Sequence, residues 1–182
     1  HTVREQLSEL YTSLTNTPAP LPVVGPPAEA ARWTDTGAAL DNLGRHQAAL
    51  ACYDRALAAD SRHELAWVHR GTALEAQGQM EDALACCDHA LQLNSRSEQA
   101  LLAKGMMHGA LGQLEEARQY CDRVLKINPH NEQAWINIGT ALDALGRRTE
   151  ALSCYNNALT LNPRNAQAWF NAGVVLGDMG RH

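Results

Sequence analysis

The segment NPHNEQAWINIG at residues 128–139 returns as NPRNAQAWFNAG at 162–173, with eight of twelve letters identical across a step of 34 residues. A fixed step of this size constrains the fold more than any other property of the chain, because each unit is then one supersecondary element that must bury itself against its copies. The same step runs from Trp33 through Trp67, Leu101 and Trp135 to Trp169, taking in all four tryptophans. Gly37, Gly71, Gly105, Gly139 and Gly173 form a second column, and Gly44, Gly78, Gly112, Gly146 and Gly180 a third; together they hold ten of the thirteen glycines. Ala49, Ala83, Ala117 and Ala151 make a fourth, followed by Ala56, Ala90, Val124 and Ala158.

Each unit reads as a pair of helices. In the fourth, Trp135, Ile138, Gly139, Leu142 and Leu145 recur at helical spacing, and Gly146 follows where a helix ends in the left-handed conformation that glycine adopts most cheaply. Ala151, Leu152, Tyr155, Ala158 and Leu159 form a second stripe of the same period. The sequence LNPRN ends it, because a proline just past a helix terminus cannot extend the helix. Gly139 and Ala151 carry almost no side chain where two antiparallel helices must come close, whereas Trp135 and Tyr155 are expected to fill the wider gaps. A helix pair this small cannot bury its own apolar face, so stacked copies must build one continuous core from nearest-neighbour contacts. With 45% apolar residues the chain can supply one.

The order Trp, Gly, Leu, Gly, Ala, Tyr, Ala, Pro within 34 residues resembles the tetratricopeptide repeat. The resemblance covers 30–182, as units 30–63, 64–97, 98–131 and 132–165 and a fifth, 166–182, cut after its first helix. It implies an all-α fold, a right-handed superhelical solenoid of antiparallel helix pairs. The concave side of such a solenoid, made by the first helix of each unit, holds a peptide or protein. Unit three departs most from the pattern: Leu101 replaces the tryptophan, His108 stands in the column of Leu40, Leu74 and Leu142, and Cys121 replaces the tyrosine. Packing is expected to be weakest there, and a buried His108 would need a hydrogen-bond partner.

The segment ahead of the array differs in kind. Over 1–14, Thr2 and Glu5 have capping-box spacing, and Val3, Leu7, Leu10, Tyr11 and Leu14 form one apolar helical face. Residues 15–29 read as a proline-rich linker, since TPAPLPVVGPP holds five of the seven prolines and such composition is extended and semi-rigid. No two prolines are spaced as PxxP, which favours a spacer over an SH3 ligand. A short helix and a proline-rich joint before such an array resemble bacterial multidomain signalling proteins, including Ser/Thr kinases. The chain starts at His1 and stops in mid-pattern, so it is expected to be a piece of something longer. In the fifth unit Trp169, Gly173, Val174 and Leu176 form an apolar face with no second helix to cover it. Val3, Leu7, Leu10 and Tyr11 share the offsets of Ala151, Tyr155, Ala158 and Leu159. Residues 1–14 of a second copy are therefore a candidate cover, which would make the chain a head-to-tail self-assembly module.

Composition disfavours several other functions. The net charge is −5 and there is no basic run, which argues against nucleic acid or an anionic membrane as partner. No stretch approaches the ~20 apolar residues of a membrane span. The five cysteines fall on two repeat positions, Cys52, Cys86 and Cys154 on one and Cys87 and Cys121 on the next. Equivalent positions lie one helix-pair spacing apart, beyond disulfide reach, and no pair has CxxC spacing, so they read as small buried thiols in a reducing, cytoplasmic setting. His46, His63, His130 and His182 fall in turns and His89 on a second-helix surface. No GxSxG or GxxxxGK sequence is present. No catalytic residue, metal or cofactor is expected.

Function is therefore sought on the concave face. The resemblance implies that positions 2, 5, 6, 9, 12 and 13 of each unit point into the groove. Among these are Gln99, Gln133 and Gln167 at position 2, His69, Asn137 and Asn171 at position 6, and Thr72 and Thr140 at position 9. Asp41, Glu75 and Asp143 occupy position 12 and Asp178 position 13. No lysine or arginine is in the set. Some relatives grip the acidic C-terminus of chaperones with lysines and arginines at these positions, so that partner class is disfavoured. An amide ladder of Gln133, Asn137, Gln167 and Asn171 can pair with the backbone of an extended peptide, while the acidic fringe favours basic residues on it. The alternative is that these are ordinary solvated polar residues on a curved surface.

Overall fold

The computed structural model describes residues 25–180. The helix expected over 1–14 and the first part of the linker lie outside the described residues. Within them the chain forms nine α-helices and no strand: α1 Pro26–Asn42, α2 His46–Ala59, α3 Glu64–Ala76, α4 Met80–Leu93, α5 Glu98–Ala110, α6 Leu114–Ile127, α7 Glu132–Ala144, α8 Arg148–Leu161 and α9 Ala166–Asp178. The turn after each odd-numbered helix contains a column glycine, and Gly146 at φ 76° shows why: the chain reverses there through the left-handed region. Helix starts are fixed just as locally. Ser97, Asn131 and Asn165 each accept a hydrogen bond from an amide of the first turn they precede, those of Ala100, Ala134 and Ala168.

One boundary differs from expectation. Composition assigns residues 26–29 to the linker, but α1 begins at Pro26 with Gly25 as its N-cap. First-turn amides have no intrahelical partner, so proline loses nothing there, and its fixed φ already suits the helix. Prolines that read as a linker by composition are, by position, a helix start.

The helices form two layers. Each of α1, α3, α5 and α7 touches the next odd-numbered helix, whereas α2, α4, α6 and α8 lie between their own first helix and that of the following unit without touching one another. Helices that meet along one side and stay apart along the other produce a curved stack, with the odd-numbered helices on the inner, concave side. Within a unit the closest approach falls at the first glycine column. A Cβ added at Gly139 would lie 2.5 Å from the Tyr155 ring, and one at Gly71 3.0 Å from the Ala83 carbonyl oxygen. Gly37 faces the ring of Tyr53 in the same way. Gly173 faces nothing within 4 Å, because no second helix follows α9 among the described residues.

Trp33, Trp67 and Trp135 pack against the core clusters from their edges, and tryptophans also fasten turns. Trp67, Trp135 and Trp169 each donate Nε1–H to a carbonyl of the preceding turn, those of Ser61, Pro129 and Pro163, at 2.9, 3.2 and 2.9 Å. Trp135 lies half-buried against the core edge and fastens a turn, while Tyr155 is the side chain that fills the space between helices. Unit three also packs better than expected in places, since Leu101, Met107 and Val124 are fully buried. His108 is half-buried, with Nδ1–H donating to Gln113 Oε1 at 2.6 Å and its ring stacked on Tyr120 at 5.1 Å. Its Nε2 is buried and unpartnered.

Glycine thus has two separable uses in one column. Gly139→Ala is expected to lower stability by ~1–3 kcal/mol, because a packed tyrosine ring must move. Gly173→Ala, which meets no atom, is expected to be neutral or to raise stability by up to ~1 kcal/mol through helix propensity. Thermal and urea unfolding followed by circular dichroism reads both, and equal effects at the two sites would contradict the close-approach account.

Candidate functional site

The inner layer brings together, across each junction, the residue facing the glycine column and position 6 of the next unit. At the first junction Tyr53 stacks on His69, ring centroids 5.9 Å apart. At the second Cys87 and Ala103 share a core cluster. At the third Cys121 and Asn137 line one pocket, and at the fourth Asn171 bears on the Tyr155 hydroxyl. The residues expected at position 6 are therefore anchored in the seam between units, and all three polar ones are half-buried.

Their electrostatics follow from burial. Desolvation holds the His69 imidazole below the usual histidine range, against the opposing pull of Asp41 and Asp35, so it is neutral at pH 7. Burial also raises the Tyr155 hydroxyl, an effect that the neighbouring Thr140 and Asn171 side chains offset only in part; the hydroxyl itself donates to Thr140 Oγ1 at 3.5 Å. Asn137 accepts from Gln133 Nε2 at 2.8 Å, which joins two rungs of the expected amide ladder. Its own Nδ2 is buried with no hydrogen-bond partner, the adjacent Cys121 sulfur being only a weak acceptor. Thr72 and Thr140 spend their hydroxyl protons on the carbonyls of His69 and Ile136, at 2.8 and 3.0 Å. Gln99 and Gln167 are not joined to this network, and both are exposed.

The acidic fringe is more occupied than the sequence suggested. Asp41 accepts from Tyr53 Oη at 2.7 Å and from His46 Nδ1 at 3.0 Å. Arg148 reaches over from α8 to Asp178 at 3.3 Å and lies 3.9 Å from Asp143. Three of the four carboxylates are thus engaged within the chain. Glu75 has no ion pair or side-chain hydrogen bond among the described residues, and burial pushes its carboxyl up. It is the acid of this set left for a ligand.

One feature was missed from the sequence: a pocket of about 390 Å³ opening into the groove at unit three. Its lining includes Gly105, Met106 and Gly109 of α5, Cys121 of α6, Asn137 and Thr140 of α7, and Glu75 of α3. The signal was available in the order of two letters, Tyr120 then Cys121, where units one and four have cysteine then tyrosine. Three of the thiols are held in the protonated form. Burial pushes Cys121 and Cys87 up to about 12 and Cys154 up to about 11. Among the described residues no group of three or more His, Cys, Asp or Glu is placed to hold a metal ion, and no helix is long and apolar enough to cross a membrane.

Models described as tetratricopeptide repeat match residues 34–98 and 98–131, and one described as TPR repeat matches 142–180. No curated protein matches the chain in sequence. Among solved structures the chain is similar to TTC0263, a thermophilic TPR protein in Thermus thermophilus, at 21% identity and a TM-score of 0.76, covering 84% of each chain. It is similar to YrrB, described as a TPR protein with an unusual peptide-binding site, at 25% identity and a TM-score of 0.61, covering 84% of this chain and 79% of that one. The first TPR of Spaghetti (RPAP3), bound to the HSP90 peptide SRMEEVD, is 26% identical with a TM-score of 0.62, over 66% of this chain and 98% of its own. The repeat models span most of the array and the neighbours share its helical stack: the chain belongs to the tetratricopeptide-repeat family.

Proposed function

We propose that this chain is a protein-interaction scaffold that takes an extended peptide along the inner layer of α3, α5, α7 and α9. The observation that carries the reading is the buried, unpartnered Nδ2 of Asn137 beside the groove. A buried donor without a partner is costly, and a ligand carbonyl would satisfy it. Gln133, one turn earlier, orients that amide, and Asn171 repeats the arrangement beside Tyr155. Relatives with peptide-binding sites, YrrB and RPAP3, support the general role. The RPAP3 ligand is acidic, whereas the inner layer here offers Glu75 as its free charge, so a basic or neutral peptide fits better. Nucleic acid, with its dense negative charge, fits worse still. The residues proposed to contact the peptide are Gln133, Asn137, Thr140, Gln167 and Asn171, with Glu75, His69, Thr72 and Gln99 along its path. Asp143 and Asp178 act through their pairing with Arg148. No chemistry is assigned to these side chains.

A second reading rests on α9. Trp169, Phe170 and Val174 are 60%, 72% and 45% exposed on one terminal helix. A contiguous apolar face of this kind draws a partner. Residues 1–14 of a second copy, with the apolar offsets of α8, are the proposed cover. Light scattering over a concentration series is expected to show association that deletion of residues 1–16 abolishes. A strict monomer at high concentration, unchanged by the deletion, would remove this reading.

For the groove, the test uses peptides selected from a random displayed library on the immobilised protein. Replacing Asn137 and Asn171 together by alanine is expected to change the melting temperature little, since half-exposed polar side chains away from caps usually contribute within ~0.5 kcal/mol. Affinity by calorimetry is expected to fall by ~1–3 kcal/mol, from two lost amide contacts at ~0.5–1.5 kcal/mol each. Unchanged affinity in a folded double variant would move the binding surface off the inner layer.

A further inference from the structure

The pocket at unit three has a defined origin. Cys52-Tyr53 in unit one and Cys154-Tyr155 in unit four put the tyrosine in the seam, against the column glycine. In unit three the pair is inverted to Tyr120-Cys121. A shift of one residue turns a side chain by about 100° around a helix, at 3.6 residues per turn. Tyr120 therefore leaves the seam, stacks on His108, and lies under Lys104 and Arg123, whose charged groups sit 5.1 and 5.5 Å from the ring centre. Cys121 stays behind in a space that units one and four fill with a phenol ring.

Unit two also has cysteine in the seam, but there the space is filled from the following unit. Met107 reaches in until its sulfur is 3.8 Å from Cys87 Sγ. One repeat later the same position is Ala141, which is too short to reach and lines the pocket instead. The space at unit three is thus filled neither from its own second helix nor from the next unit. In unit four the tyrosine hydroxyl meets Thr140 and Asn171. The residues in those places around Cys121 are Met106 and Asn137, and Asn137 Nδ2 is the buried donor without a partner.

We infer that this pocket is a socket for one tyrosine side chain of a bound peptide, with a lysine or arginine next to it in the peptide to meet Glu75. The ring replaces the one that the Tyr120-Cys121 inversion removed, lying against Gly105, Met106 and Gly109. Its hydroxyl oxygen accepts from Asn137 Nδ2. Glu75 in the pocket lining, unpaired and half-buried, supplies the charge complement. This rests on the reading of the inner layer as a peptide-binding surface and adds which side chain the peptide must present.

The test fills the socket from within. The double substitution Tyr120→Cys and Cys121→Tyr restores the order of units one and four, and Gly109→Leu fills the same space from the opposite wall, where an added Cβ meets only Ala117 Cβ at 3.8 Å. Peptides selected from the random library on the unaltered protein are expected to share a tyrosine next to lysine or arginine. Their affinity is expected to drop by about tenfold or more in both variants, the loss of one buried aromatic side chain. Circular dichroism checks that the variants fold, and should the inverted pair fail to fold, Gly109→Leu gives the same reading. Selected peptides with no shared ring, or equal affinity for the filled variants, overturn the socket. If such peptides still lose affinity on Asn171→Ala, the groove reading stands while the socket falls. If nothing is enriched, both fall.

Discussion

The close approach of two antiparallel helices at one column of glycines is the contact on which the remaining structure depends. At Gly37 and Gly139 the opposing surface is a tyrosine ring, and at Gly71 and Gly105 it is a backbone carbonyl and a cysteine. How near the second helix comes decides where it can support the first helix of the next unit, because each second helix is wedged between two first helices. The separation within a unit therefore sets the spacing between units, and the spacing sets the curvature of the inner layer. Cooperative stability in such an array is a sum over these junctions, so a change at one of them stays local.

The same contact links packing to recognition. The side chain opposite the glycine passes through the seam and ends at the groove, beside position 6 of the following unit. A tyrosine there both fills the core and meets His69 or Asn171 at the groove edge. A cysteine fills less and leaves Asn137 with an unanswered donor. Core composition and groove chemistry are in this way one choice made at one position. The charged residues contribute differently. Asp41 is tied to Tyr53 and His46, and Asp143 and Asp178 to Arg148, all within the chain.

Features that repeat were legible in the sequence, and features that depend on relations between repeats were not. The 34-residue step carried the helix pairs, the left-handed turn at Gly146 and the closeness at Gly139, because each is enforced within one unit. Size placed Trp135 against the core, as found, but did not show its second contact: an indole N–H needs an acceptor and finds it in the preceding turn. Pro26 was misread because composition carries no position. The pairing of Arg148 with Asp143 and Asp178 left no periodic trace, since a long flexible side chain reaches across layers from a single site. The pocket needed three positions from two units to be read together: Cys121, Asn137 and Ala141. Taken alone, the columns of Cys121 and Ala141 each showed only a smaller residue, and that of Asn137 only a repeated asparagine.

On the proposed reading, the inner layer, centred on the seam between units three and four, is the recognition surface. Chemical-shift mapping of the isotope-labelled chain with a library-selected peptide tests it most directly. The largest changes are predicted at the Asn137 side-chain amide and the backbone amides of Gly105, Gly109 and Thr140, with α2, α4 and the outer face of α6 and α8 unaffected. Changes concentrated on those outer helices, with Asn137 unmoved at saturation, would contradict the account.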